Sequence, residues 1–385
     1  MGQTVKVFLI AGEVSGDKLG GALMAGLKSL MPDVIFEGVG GPLMQAEGMG
    51  SLFPMDELSL MGIAEILPKY RHLKRRIRQT AEAVIAAQPD VLITIDSPDF
   101  CLRVARLVKA ASSIRTVHYV APTVWAWRPG RAEKMAQVID HVLALFPFEP
   151  PYMTAAGMDC DFVGHPVVAE PVATEAEAEA FRASHGIGAA PLILALPGSR
   201  RGEVARLSET FGKALGQVVA RHPDARVVLP CAGPVEDLVR QQVAGWPVTP
   251  LIIPAADKAA KLAAFRAADV ALAASGTVSL ELAAASTPMV IAYDMSWLSR
   301  QIIGRMLRVD TVTLVNLVSE TRTVPEFIGA NCQPDPIAGA LSNVLADPSA
   351  QIDAMRVTME RLGQGGEAPG LRAARAVLDR LPTRP

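Results

Sequence analysis

The sequence predicts an α/β protein made of two Rossmann-like domains, each built on a parallel sheet. The chain has 385 residues, which is too long for one ordinary hydrophobic core. Short apolar runs alternate with helical patterns along both halves, as expected for a doubly wound fold. The segment 171–179, rich in alanine and glutamate, differs in composition from its flanks and predicts a linker. We therefore expect domains at residues 1–170 and 171–362.

The run 91–95 predicts a strand buried on both faces of a sheet, because its residues are all apolar or β-branched. It is followed by Asp96 and Asp99 on either side of a proline that cannot continue a ladder of hydrogen bonds. Open α/β sheets bind ligands at the carboxyl ends of their strands. Asp96 and Asp99 are therefore candidates for acid–base work, and the alternative is that Asp96 caps a helix while Asp99 is solvated.

The first strand, at residues 5–11, runs into a glycine-rich turn that carries Gly12, Glu13, Ser15 and Asp17. The dinucleotide fingerprint G-x-G-x-x-G is absent from this turn. Because two carboxylates would repel a diphosphate, the turn suits a hydroxyl-rich ligand better. A tight strand-to-helix turn, with Asp17 in the first helical turn, is the equally supported structural interpretation.

The segment 58–78 places apolar residues before a cluster of basic ones, a pattern typical of a segment on an anionic membrane surface. A core-packed stripe with a solvated basic face is the alternative. The residues assigned to membrane contact are Leu58, Leu60, Met61, Ile63, Ile66, Leu67, Lys69, Arg71, Lys74, Arg75 and Arg76.

The composition narrows the class of protein. The formal net charge of −2 argues against bulk nucleic-acid binding. The four cysteines are widely scattered without a CxxC or Cys/His cluster, which indicates a reduced, cytoplasmic protein without a structural metal. No apolar run approaches the ~18 to 20 residues that a membrane span requires, and the N-terminus has no signal-peptide pattern.

The second half carries two turns suited to an anionic ligand. The turn 197–203 contains Gly198, Ser199, Arg200 and Glu203 where a strand becomes a helix. Helix N-terminal amides beside a guanidinium can bind a diphosphate without a metal, although exposed arginines are also often only solvated.

The second of these turns contains Ser275, Gly276 and Thr277, which predict another hydroxyl-and-amide anion site at the start of a helix. Glu281 follows about one turn later, where it could accept hydrogen bonds from a ribose diol or lie on the helix surface. A strand-end carboxylate in one domain and a diphosphate site in the other favour group transfer. The carboxylate would deprotonate an acceptor hydroxyl while the arginine stabilises the leaving diphosphate. No Walker lysine motif is present, which disfavours a kinase.

An ordered set of motifs resembles the lipid-A-disaccharide synthases, bacterial glycosyltransferases of the GT-B fold. The matching blocks are residues 11–17, 61–65, 96–100, 118–120, 124–127, 147–149, 164–166, 197–200, 275–277 with Glu281, and 316–317. The resemblance implies an inverting transfer of 2,3-diacylglucosamine from UDP to 2,3-diacylglucosamine 1-phosphate (lipid X). It implies Asp96 as the base, Arg200 as a diphosphate ligand, and Glu281 and Asn316 as further donor contacts. It also implies an acceptor side of the site, to which Gly12, Glu13, Ser15, Asp17 and Asp99 are assigned. We expect no cofactor or metal.

The same resemblance implies a cytoplasmic protein, peripheral on the inner membrane, and a homodimer that exchanges C-terminal segments. The tail 363–385 would then pack on the first domain or on a partner subunit. The sequence departs from the family pattern at Cys101, Ala121, Val315 and Gly329, the last two in the donor loop. Two alternatives are a UDP-GlcNAc 2-epimerase of the same fold and a UDP-sugar-binding surface protein without catalysis.

Overall fold

The structure, a computed structural model, describes residues 4–58, 63–126, 130–295 and 309–381, with only the helical backbone described for residues 63–70. The chain divides into two compact units, Met1–Ala169 with Gly365–Pro385, and Glu170–Gln364. Within the described residues each unit contains one parallel sheet, which confirms the predicted fold class. The predicted boundaries, after residues 170 and 362, lie within two residues of these divisions.

The first unit contains strands and helices in regular alternation. Its strands are β1 (Lys6–Ala11), β2 (Ile35–Val39), β3 (Gly50–Ser51), β4 (Val91–Ile95), β5 (Arg115–Tyr119), β6 (His141–Ala144) and β7 (Asp159–Phe162). Its helices before the second unit are α1 (Val14–Leu30), α2 (Pro42–Ala46), α3 (Ile63–Ala87), α4 (Pro98–Ala111), α5 (Arg131–Ala136) and α6 (Pro150–Ala155). The sheet order is β3-β2-β1-β4-β5-β6-β7, so β1 and β4 lie side by side in its interior.

The interior strands are buried because helices cover both faces of the sheet. The side chains of Val91, Leu92, Ile93 and Ile95 in β4 are fully buried, as the apolar run predicts. Helices α3 and α4 pack on one face, where Val84 and Val104 join a cluster with strand residues. This burial fixes the position of the turn that follows β4.

The second unit repeats the alternation. Its strands are β8 (Leu192–Leu196), β9 (Arg226–Pro230), β10 (Leu251–Ile253), β11 (Val270–Ala274), β12 (Met289–Tyr293) and β13 (Glu326–Ile328), in the order β10-β9-β8-β11-β12-β13. Its described helices are α7 (Glu175–Ser184), α8 (Arg201–Arg221), α9 (Glu236–Val243), α10 (Lys258–Ala267), α11 (Val278–Ala284), α12 (Leu314–Ser319), α13 (Pro334–Ala346) and α14 (Ser349–Arg361). The central strands β8 and β11 are wholly buried.

The C-terminal helix α15 (Pro369–Leu378) returns to the first unit and packs against α1. The two helices approach closely, since a Cβ atom added at Gly26 would lie 2.7 Å from the carbonyl oxygen of Gly370. Arg380, just after α15, forms an ion pair with Asp161 of β7 at 2.6 Å. The tail is thereby part of the first unit in the described chain.

One predicted boundary is corrected. The linker predicted at 171–179 is shorter, because α7 begins at Glu175 with a capping box between Thr174 and Glu177. Helix α4 begins at Pro98, directly after the β4 turn. Asp99 therefore lies in its first turn.

Candidate functional site

The carboxyl ends of three neighbouring strands bring the first set of predicted residues together. Ile95 of β4 pairs with Ala11 of β1 on one side and with Tyr119 of β5 on the other. The turns that follow these strands therefore lie side by side at one edge of the sheet. Asp96 is half-buried in the middle turn, and its backbone N–H donates to the carbonyl oxygen of Tyr119 at 3.0 Å.

The backbone at this edge is strained. Asp96 and Ser97 both have left-handed conformations, with φ of 51° and 43°. Val120, at the end of the neighbouring β5, has a φ of 86°, which is a genuine outlier for a β-branched residue. Such conformations cost about 1–3 kcal/mol each and cluster at functional sites. The strain coincides with the carboxylate that the sequence singles out as a base.

Gly12 lets the neighbouring turn approach closely. A Cβ atom at Gly12 would lie 2.7 Å from the hydroxyl oxygen of Ser97. That hydroxyl is buried and has no hydrogen-bond partner among the described residues. A side chain at position 12 would therefore press against the Ser97 side chain, next to Asp96.

The other acceptor-side candidates divide into exposed and structural residues. Glu13 is half-buried at the N-cap of α1, Ser15 is exposed in its first turn, and Asp99 is exposed in α4. Asp17 is 3% exposed, so its acceptor-side assignment is corrected. Its carboxylate accepts hydrogen bonds from the backbone N–H groups of residues 41, 43 and 44 at 2.9–3.0 Å. Both oxygens of Asp17 are thus used to hold α2 in place.

The second unit contains a cavity of about 400 Å³ at the carboxyl ends of β8, β9 and β11. Its polar wall includes the predicted donor-side residues Gly198, Ser199, Arg200, Glu203, Ser275, Gly276, Thr277 and Glu281. Its apolar wall includes Leu229, Cys231, Val239 and Phe265. A cavity with an apolar wall and a few convergent polar groups has the chemistry of a small-molecule site.

Within the cavity, the carboxylate of Glu203 occupies the position in the 197–203 turn where the sequence predicts a bound anion. Its carboxylate accepts from the backbone N–H of Ser199 at 3.1 Å and of Arg200 at 3.3 Å, and from the Arg200 guanidinium at 2.9 Å. Gly198, with a φ of 119°, leaves room for this carboxylate. The amides of Ser199 and Arg200 are therefore satisfied internally, and Arg200, which is 67% exposed at its side chain, is the group left to meet a ligand.

At the opposite wall, Glu281 forms an ion pair with Lys261, whose Nζ lies 2.9 Å from Oε2 of Glu281. Ser275 is half-buried, while Gly276 and Thr277 are exposed just before α11. Lys261 was not among the predicted donor-side residues. Lys261 lies one turn before the buried Phe265, and this i,i+4 spacing is the signal that could have identified it.

Asn316 is 1% exposed, so its prediction as a donor contact is corrected. Its side-chain amide donates to the carbonyl oxygen of Val324 at 2.9 Å and accepts from the Val324 N–H at 3.0 Å. The carboxylate of Glu326 accepts from the backbone N–H of Thr313 at 2.8 Å. Asn316 and Glu326 thus fix the chain between α12 and β13, and within the described ranges the amide edge of Asn316 is used by Val324.

Comparison with known proteins decides the family. The profile described as lipid-A-disaccharide synthetase matches residues 7–375. The chain is 67% identical to the lipid-A-disaccharide synthase of Ruegeria pomeroyi, covering 99% of this chain and 96% of that protein. It is 50% identical to the lipid-A-disaccharide synthase of Rhodospirillum centenum, covering 97% and 94%. The chain belongs to the lipid-A-disaccharide synthetase family.

Solved structures that are similar to this chain belong to another branch of the same fold. A putative UDP-N-acetylglucosamine 2-epimerase from Listeria monocytogenes aligns with a TM-score of 0.62 at 14% identity, covering 98% of this chain and 95% of that one. The S. aureus MnaA–UDP co-structure aligns with a TM-score of 0.63 at 13% identity, covering 99% and 98%. At these identities the likeness shows the fold alone. It confirms the GT-B prediction, while the family match favours the glycosyltransferase of lipid A biosynthesis over the epimerase.

The predicted membrane segment is described only in part. Leu60 and Met61 lie outside the described residues, as do the side chains of Ile63, Ile66, Leu67 and Lys69. Arg71, Lys74 and Arg75 are exposed on α3 and form a basic face with Arg78. Among the described residues, no helix combines the length and apolar character needed to cross a bilayer.

Two residues of that segment serve the fold instead, and their assignment to membrane contact is corrected. Leu58 packs against the buried cluster under the sheet. Arg76 donates to both oxygens of Glu57, at 2.6 and 2.7 Å, and lies over the ring of Phe53. The hydrogen bond from Arg76, with a further one from His72, lowers the pKa of Glu57 to about 2. Arg76 thus fastens α3 to the preceding loop.

Proposed function

We propose that this chain transfers 2,3-diacylglucosamine from its UDP carrier to 2,3-diacylglucosamine 1-phosphate. The products are the β-1,6-linked tetraacyl disaccharide 1-phosphate and UDP. Support comes from the family match over residues 7–375 and from two polar sites of the expected kinds, one in each unit.

The acceptor hydroxyl is activated in the first unit. The carboxylate of Asp96 takes the proton of the acceptor 6-hydroxyl as its oxygen attacks the anomeric carbon of the donor. The bond between that carbon and the diphosphate oxygen breaks, its electron pair leaves with UDP, and the configuration inverts. Glu13, Ser15 and Asp99 lie on the acceptor side and hydrogen-bond the acceptor sugar in this proposal.

The leaving group is stabilised in the second unit. Arg200 carries an always-charged guanidinium on an exposed side chain, suited to the negative charge that develops on the diphosphate. Ser275 and Thr277 offer hydroxyls to the same group, and Glu281 accepts from the ribose. We propose that this charge stabilisation proceeds without a metal or cofactor.

The observation that carries the proposal is the strained turn after β4. Asp96 and Ser97 are consecutive left-handed residues, and Gly12 leaves room for the Ser97 side chain beside them. Strained residues of this kind cluster at functional sites, which favours a use for this carboxylate.

The test is turnover of the purified protein on UDP-2,3-diacylglucosamine and lipid X in the presence of EDTA. We expect disaccharide 1-phosphate to form, and Asp96→Asn, which is isosteric but cannot accept the proton, to lower kcat by about 10²- to 10⁴-fold. Asp99→Asn is the comparison variant and should lower kcat far less, because Asp99 contacts only the acceptor sugar in this proposal. UDP binding without disaccharide would overturn the proposal, and the reverse order of the two variants would move the base to Asp99.

We further propose that the protein acts at the cytoplasmic surface of the inner membrane, as a homodimer. The diacylated substrates require a lipid surface, and the exposed basic face of α3 suits anionic headgroups. Three glycines within residues 362–368, which join α14 to α15, form a connection that can serve as a hinge. Exchange of α15 between two subunits is therefore part of the proposal.

A further inference from the structure

The cavity of the second unit contains two acidic residues that are held in different ways. Glu203 is held by its own loop, through two backbone amides and Arg200, and its side chain is 12% exposed. The side chain of Glu281 is 38% exposed, and among the described residues only Lys261 bonds to it. Its second oxygen, Oε1, has no protein partner there. Glu281 is thus the carboxylate of this cavity that can accept from a ligand.

Lys261 reaches Glu281 from a different helix. It lies on α10, whereas Glu281 lies one turn into α11. Its Nζ also lies 5.1 Å from the centre of the Phe265 ring on the apolar wall, so the aliphatic stem lies along that wall. The ion pair at 2.9 Å therefore restricts the rotamers of Glu281 and occupies one of its two carboxylate oxygens. Without it, ordering this side chain on a ligand would cost conformational entropy.

We propose that Lys261 is a positioning residue for the ribose of the donor nucleotide. It holds Oε2 of Glu281, so that Oε1 accepts hydrogen bonds from the 2′,3′-diol. This inference rests on the proposed function, in which the cavity binds the uridine diphosphate part of the donor. In this inference Lys261 strengthens binding of the ribose hydroxyls through Glu281 and does not contact the diphosphate.

The test compares the affinities of UDP and 2′,3′-dideoxy-UDP by calorimetric titration of the full chain. We expect the wild-type protein to prefer UDP by about 10-fold or more, the usual effect of a hydrogen bond to a charged group. Lys261→Ala should reduce this preference about three- to five-fold, as expected for loss of a partly exposed ion pair. It should leave the affinity for the dideoxy nucleotide unchanged.

Three further variants make the comparison specific. Lys261→Arg should restore most of the preference, because it keeps the ion pair. Lys258→Ala removes an exposed lysine from the same helix and should match the wild type. In a Glu281→Gln background, Lys261→Ala should have no further effect on the preference, since the lysine acts through the carboxylate.

The outcomes separate the inference from the proposed function. Absence of UDP binding by the wild type would overturn the proposed donor site itself. Equal wild-type affinity for the two nucleotides would remove the contact between Glu281 and the ribose, and the inference with it. Clear wild-type preference, with Lys261→Ala weakening both nucleotides equally, would overturn the inference alone by indicating direct contact with the diphosphate.

Discussion

At the scale of single residues, Asp17 uses a charged side chain to hydrogen-bond and position the backbone. Its carboxylate accepts from three N–H groups at the start of α2, and Gly41 allows this approach because a Cβ there would lie 2.6 Å from Oδ2. Asp17→Asn places an amide donor against these donors, so we expect a loss of stability of about 1–3 kcal/mol. Hydrogen exchange measured by mass spectrometry should show faster exchange of the amides of residues 41, 43 and 44.

The matched control for this prediction is Asp33→Asn, which changes an exposed aspartate in the same unit. It should leave stability within about 0.5 kcal/mol. An Asp17→Asn protein with normal exchange at residues 41, 43 and 44 but a raised KM for lipid X would contradict the structural role and return Asp17 to the acceptor site.

Sequence patterns identify individual residues, but they do not show which way a side chain points or which partner it meets. The sequence identifies Asp96 because a carboxylate directly follows a buried strand, a relation that is local in the chain. Asn316 and Lys261 depend on partners that are distant in sequence or on another element: Val324 lies eight residues beyond Asn316, and Glu281 twenty beyond Lys261. A motif can therefore identify Asn316 without indicating that its amide points inward.

At the scale of elements, α3 presents a basic face formed by Arg71, Lys74, Arg75 and Arg78. If this face contacts anionic lipid, Arg71→Gln/Arg78→Gln should weaken binding by about 2 kcal/mol, at about 1 kcal/mol for each charge removed near the surface. Co-sedimentation with phosphatidylglycerol vesicles at low salt measures this, and phosphatidylcholine vesicles should show little binding by either protein.

The matched control for α3 is Arg103→Gln/Arg106→Gln, which removes two exposed charges from α4 of the same unit. It should bind vesicles as the wild type does. Equal loss of vesicle binding in both double variants would show that net charge alone explains the effect. No loss of binding in either would show that the basic face of α3 is only a solvated helix surface.

The elements themselves are predictable where their signal is periodic. Apolar runs locate β4, β8 and β11 because buried parallel strands contain few polar residues. Helix starts are less well predicted. The capping box of Thr174 and Glu177 is present in the sequence, yet alanine-rich composition favoured a linker there. Asp96 is a residue type that tolerates the left-handed conformation, but local preference does not predict two such residues in a row at 96–97.

At the scale of the whole chain, the C-terminal tail 363–385 completes the core of a first unit, either of its own chain or of a partner. Helix α15 buries Ala373, Ala374 and Val377, and its contact with α1 is part of the core of the first unit. The same contact can form within one chain or between two chains, because a glycine-containing connection precedes it. The sequence predicts the doubly wound units from their rhythm, but this choice depends on association, which no local pattern encodes.

A disulfide between the two helices would reveal which arrangement exists in solution. A Cβ atom at Gly26 would lie 3.0 Å from the Cβ of Ala374, slightly closer than the about 3.5–4.5 Å of disulfides. In a Cys160→Ser background, which removes the partly exposed native cysteine, Gly26→Cys/Ala374→Cys should therefore oxidise after a small helix shift. Because we propose that subunits exchange α15, we expect a covalent dimer on a non-reducing gel at concentrations where each single variant stays monomeric. A species of monomer mass in which both introduced thiols have been consumed would instead show that the tail packs within its own chain. That result would overturn the proposed exchange of α15.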